Sequence, residues 1–103
     1  MPRSYSYEFL LALKDADPTR LGVRLGRLCV EANLPAAYVA KALDVSRMTV
    51  YSWFRGQGVN ERKRAVVEAF MTLVQKDMDD GKLPASNLLD SKFYIQEMLG
   101  RQI

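Results

Sequence analysis

Apolar residues recur along this chain at three- and four-residue intervals, and no useful stretch alternates with the period of two that a strand requires. The pattern predicts an all-α protein. Phe9, Leu10 and Leu13 share one face of a short helix from Ser6 to Lys14, which Asp17-Pro18 ends. Thr19 is the expected cap of a second helix, whose apolar residues Leu21, Leu25, Leu28 and Ala32 form one stripe. Gly22 and Gly26 lie inside that helix. They either merely weaken it or let another helix approach closely. Asn33 suits the left-handed conformation that closes a helix, and Pro35 suits the start of the next.

The remaining elements are punctuated as clearly. A third helix is expected over Ala36 to Leu43, followed by a turn at Asp44-Val45. Ser46 is placed to cap a fourth helix from Arg47 to about Arg55, with Gly56 as its stop. After a Gly56-Gln57-Gly58 loop, Asn60 caps a long helix to about Met78, with Val66, Val67, Phe70, Leu73, Val74 and Met78 expected inward. Asp79-Asp80-Gly81 stops it. Ser86 or Asn87 then opens a last helix to Leu99, carrying Leu88, Leu89, Phe93, Ile95, Met98 and Leu99. A chain of 103 residues is the size of a single domain. The expected fold is a small helical bundle: a core over residues 19–78, an added N-terminal helix, and a C-terminal helix within residues 83–103.

The stretch from Pro35 to Gly56 carries the most specific information. Two short helices crossing at a steep angle need a small residue where they meet, and Ala40 supplies it. They need apolar filling in the angle between them, which Val39, Leu43, Val45, Val50 and Trp53 provide. Their turn needs a residue that tolerates positive φ, and Asp44 can adopt it. Arg47, Met48, Thr49, Tyr51, Ser52 and Arg55 are then left to face outward, as in a helix that enters a DNA major groove.

Charge supports the same region. The chain is +3 overall, but residues 1–34 carry net +1, residues 35–64 net +4 and residues 65–103 net −2. Such polarity fits a body that presents one face to phosphates and holds another away from them. Other chemistry is thinly represented. There is no histidine, and the single cysteine, Cys29, lies in an apolar stretch and reads as a small buried hydrophobe. No phosphate-cradling glycine motif or metal-ligand spacing is present. Asp77, Asp79 and Asp80 cluster at a helix end, where carboxylates are usually solvated. Neither an enzyme nor a cofactor is expected. No apolar run is long enough to span a membrane and the start lacks a signal-peptide layout, so a cytoplasmic setting is expected.

Leu34, Val39-Ala40, Leu43, Val45-Ser46, Thr49-Val50, Trp53 and Gly56 resemble the helix-turn-helix pattern of the lambda-repressor/Cro-like (XRE) family. The likeness implies a sequence-specific binder of double-stranded DNA, a small bacterial or phage transcription regulator. It implies base contacts from Arg47, Met48, Ser52 and Tyr51. It implies phosphate contacts from Ser46, Thr49, Arg55, Arg62, Lys63 and Arg64. Asp44 stands where the family usually has glycine, and Ala36 where it often has a phosphate-touching glutamine. The surplus apolar residues of the last helix imply a homodimer or higher homo-oligomer, since one recognition helix reads few base pairs. Two other functions share these features. One is a DNA-packaging small subunit of a phage, assembled as a ring. The other is an interaction module that binds a host protein through an apolar patch of Met48, Tyr51 and Phe54.

Overall fold

The computed structural model describes residues 5–101, and the description below is of those. Six helices follow one another: α1 (Tyr7–Asp15), α2 (Leu21–Glu31), α3 (Ala36–Leu43), α4 (Arg47–Phe54), α5 (Glu61–Asp79) and α6 (Leu88–Leu99). The described residues contain no strand. α2 packs against α1, α4 and α5, while α3 packs against α4, α5 and α6. One core therefore joins all six helices. Its fully buried members include Val23, Leu25, Leu34, Val39, Leu43, Val50, Phe54, Val67, Val74 and Ile95.

Local signals set most of the boundaries. The side chains of Ser6, Ser46, Asn60 and Asn87 each accept a hydrogen bond from a backbone N–H in the first turn of α1, α4, α5 and α6. Asn33 and Asp44 both have positive φ, at 58° and 55°, and reverse the chain after α2 and α3. Thr19 behaves otherwise than its expected capping role. Its N–H and hydroxyl both bond the Asp17 carboxylate, at 2.9 and 2.7 Å, and those bonds hold that carboxyl below its usual pKa. Arg20 occupies the cap position instead, and no side chain caps α2.

The glycines of α2 have a packing purpose. A Cβ at Gly22 would collide with the Trp53 carbonyl, and would lie 2.8 Å from Trp53 Cβ. A Cβ at Gly26 would meet Phe54 Cγ at 3.0 Å and Leu13 Cδ1 at 3.1 Å. The first turn of α2 thus rests on the backbone of the last turn of α4, and the second receives the Phe54 ring. Burial pushes the Cys29 thiol, one turn further on, well above its ordinary pKa, which keeps it neutral.

The two ends of the chain are tied to the corner between α2 and α3. The Tyr5 hydroxyl donates to the Leu34 carbonyl, and Tyr5 stacks on Phe9 with ring centroids 5.3 Å apart. On the other side, the Ala85 N–H donates to the Ala32 carbonyl and Asn33 Nδ2 donates to the Ala85 carbonyl, at 3.0 and 2.7 Å. α6 is anchored on α3 by the buried Ser91 and Ile95, and to α5 by the Tyr94 hydroxyl on Asp77 Oδ2 at 2.6 Å. Asp77 is therefore a buried carboxylate rather than a solvated one at a helix end. Val66 and Leu73 also depart from the pattern reading. They are about two-fifths exposed because α5 turns Val67, Phe70, Val74 and Asp77 inward instead. Among the described residues, no helix is long and apolar enough to cross a membrane.

Replacing Gly22 by alanine is expected to destabilise the protein by about 1–3 kcal/mol, because the new methyl must push α2 off rigid backbone. Gly58→Ala, where a Cβ meets nothing within 4 Å, should change stability by less than about 0.5 kcal/mol. Thermal melts of the two variants check the contrast.

Candidate nucleic-acid interface

α4 is eight residues long and is held on one side only. At 100° per residue, Val50, Trp53 and Phe54 share the face that enters the core, and all three are buried. Met48, Ser52 and Arg55 lie on the opposite side. Met48 is 78% exposed, the highest value of any large apolar residue described. Arg47 and Arg55 are exposed, and Ser52 is half-buried. Met48, Ser52 and Arg55 thus share one surface, whereas Arg47, at the first position of α4, is exposed but lies about 100° round the helix from Met48, on the side of Phe54.

Tyr51 is placed differently from them. Its ring lies edge-on to Phe9, Phe54 and Tyr5, with centroids 5.5, 6.0 and 6.5 Å away. This half-buried ring forms the flank of α4 that α1 covers. Phe9, which pattern reading assigned only to a peripheral helix, and Tyr5, which it left unassigned, therefore pack on this flank of α4. Their signal was present as aromatic residues near the start of the chain, but nothing local indicated what they would touch.

Ser46 and Thr49 are used on each other. Ser46 Oγ accepts from the Thr49 N–H at 3.1 Å and lies 2.9 Å from Thr49 Oγ1. This pair fixes the first turn of α4 and leaves the exposed Ser46 at its tip. The turn before it is held from another element. Lys63 Nζ donates to the carbonyls of Leu43 and Asp44, at 3.0 and 3.3 Å. Those are the C-terminal carbonyls of α3, where a cation is favoured both by hydrogen bonding and by the helix dipole. Lys63 thus spans the gap between α5 and the α3–α4 turn, and the first turn of α5 stands beside it. Arg62 and Arg64 are exposed on that turn. Arg64 makes only a 4.0 Å contact with the exposed Glu68, a pairing of little energetic weight.

A basic residue missed by sequence reasoning also meets this surface. Arg20 Nε donates to the Gly56 carbonyl at 2.9 Å, across 36 positions. Two exposed acids, Asp44 in the α3–α4 turn and Glu61 in the first turn of α5, stand among these basic residues, while Asp79 and Asp80 lie at the far end of α5. Asp79 accepts from Gln75 Nε2 at 3.1 Å, and Asp80 pairs with Lys76 at 2.8 Å on the exposed end of α5. Among the described residues, no group of three histidine, cysteine or acidic side chains is arranged to hold a metal ion. No family model, no curated protein and no solved structure matches this chain.

Lys63→Met is expected to lower stability by about 1 kcal/mol through loss of the α3 carbonyl contacts. Arg62→Met and Arg64→Met should each stay within about 0.5 kcal/mol of the parent. Urea unfolding at neutral pH separates the structural lysine from its neighbours.

Proposed function

We propose that α3 and α4 form a helix-turn-helix and that the protein is a sequence-specific binder of double-stranded DNA, acting as a small transcription regulator. The observation that carries this reading is the two-sidedness of α4. Val50, Trp53 and Phe54 lock it into the core, while Met48, Ser52 and Arg55 stand outward and Arg47 is exposed in the first turn, behind the Ser46 cap. Arg47 at the helix start reads a base edge, with guanine O6 and N7 as the natural bidentate partner. Met48 packs on a thymine methyl, and Ser52 adds a contact one turn later. Tyr51, set in the aromatic flank, reaches bases only with its outer edge. Ser46, Thr49, Arg55, Arg62 and Arg64 supply phosphate contacts that fix register. Lys63 serves mainly to hold the α3–α4 turn and adds charge beside it.

The competing reading as a protein-interaction module rested on a patch of Met48, Tyr51 and Phe54. Phe54 is 1% exposed and Tyr51 is turned into the aromatic cluster, so Met48 stands alone among polar and basic neighbours. That surface suits a polyanion better than an apolar partner.

A second copy of the chain is part of the proposal. Leu88, Leu89 and Phe93 are each about 55% exposed on α6. α6 lies on α3, and its buried positions are Ser91 and Ile95. Pairing through this outer face doubles the number of base pairs read and predicts a palindromic site.

Selection of bound sequences from random duplex DNA tests the main reading. A defined motif should emerge, and Arg47→Ala should relax preference at one position. Arg62→Ala should weaken all sequences alike. Binding should fall steeply with added salt. Absence of enrichment, or affinity indifferent to salt, removes the reading. For assembly, the double variant Leu89→Glu, Phe93→Glu alters only exposed positions. It is expected to stay folded, sediment as a monomer and bind a palindrome at least tenfold more weakly. Sedimentation of parent and variant at equal mass would dispose of the dimer.

A further inference from the structure

We propose that Arg20 is a phosphate-contacting and positioning residue at the C-terminal end of α4, so that the nucleic-acid surface extends onto the start of α2. This rests on the DNA-binding reading above. α2 and α4 meet where Gly22 leaves α2 with no side chain to separate them. The first turn of α2, at Gly22, lies against the Trp53 carbonyl in the last turn of α4. Arg20 stands at the cap position of α2, two residues earlier, and its Nε–H bonds the Gly56 carbonyl just past the end of α4. The guanidinium is thereby held on the backbone one residue past Arg55, the last member of the outward stripe.

That single bond leaves most of the group's donors unused. A guanidinium carries five N–H donors, and only Nε–H is engaged with Gly56. Among the described residues, neither Nη group has a hydrogen-bond partner, and no carboxylate lies within ion-pair distance of Arg20. The nearest acid in sequence, Asp17, has its carboxylate bonded by Thr19, which chiefly holds its pKa down, with the Arg20 charge a smaller contribution from beyond ion-pair distance. Arg20 is exposed. A planar group anchored through one nitrogen and presenting two NH2 groups to solvent matches the fork that binds a phosphate.

Geometry also places a phosphate at that end. An eight-residue helix is about 12 Å long at 1.5 Å per residue, and the major groove is about 12 Å wide. The helix is also about 10–12 Å across, so its width fills the groove and both sugar-phosphate walls pass within reach of long basic side chains at its ends. At one end of α4 stand Ser46 and the first turn of α5. At the other stand Arg55 and Arg20. Arg20 therefore has two tasks: Nε orients the end of the reading helix, and the Nη groups contact the strand.

The two tasks are separable with Arg20→Gln and Arg20→Lys, measured on the full chain with a selected duplex over a series of salt concentrations. Arg20→Gln keeps an amide donor for Gly56 but loses the charge. Its melting temperature should match the parent, and its affinity should fall roughly three- to tenfold with unchanged base preference. The slope of log affinity against log salt should shrink by about 0.9, the loss of one phosphate contact. Arg20→Lys should recover most of the slope. An Arg20→Gln slope equal to the parent's overturns the phosphate role, and an altered preference at one base position overturns it in favour of base reading. If the parent itself shows no duplex binding, the DNA reading fails rather than this residue assignment alone.

Discussion

The bare contact between the first turn of α2 and the last turn of α4 governs the rest of the molecule. With no side chain at Gly22, the Trp53 carbonyl approaches the α2 backbone directly. This lets Trp53 and Phe54 enter the core from a helix only two turns long. A helix so short has almost no stability of its own and takes its form from its buried face. Because that face is fixed to within a methyl group, so is the opposite one. The outward direction of Met48, Ser52 and Arg55 is therefore a consequence of packing at Gly22 and Gly26, on a different helix.

The helices themselves were legible in the sequence because their signals are local. Ser46, Asn60 and Asn87 act within one turn of their own position, and Asn33, Asp44 and Gly56 take a positive φ that asparagine and aspartate tolerate and that glycine, without a Cβ, adopts freely. Thr19 shows where local reading fails: Asp17 lies two residues away and competes for the same hydroxyl and N–H, so the cap is lost. Val66 and Leu73 show a second limit. Periodicity identifies a helix, but the rotation of α5 is decided by what α2, α3 and α6 offer it. Those offers, such as the Tyr94 hydroxyl for Asp77, are non-local.

The candidate site divides along the same line. Met48, Ser52 and Arg55 were legible because their outward direction follows from the buried positions of the same short helix. Lys63 and Arg20 were not, since a basic residue at a helix start reads the same whether it faces solvent or reaches a carbonyl 19 or 36 positions away. Tyr51 was ambiguous for a related reason. An aromatic ring at the edge of an exposed face goes wherever other aromatics are, and Tyr5 and Phe9 come from an element with no visible link to α4.

These long-range contacts share a design. Lys63 meets the chain just before α4, Arg20 meets it just after, and α1 with the Tyr5 that precedes it covers one flank through Phe9 and Tyr5. Three separate elements thus constrain α4 at its start, its end and one side, and none occupies the Met48–Ser52–Arg55 face. A helix serving only the core would need no such support, because the burial of Val50, Trp53 and Phe54 already holds it. Restraining both ends adds to that stability and also limits small rotations that would move the exposed side chains relative to a partner. The cost of ordering those side chains at a contact is then met during folding rather than at binding, which is the condition for a short helix to discriminate between closely similar surfaces.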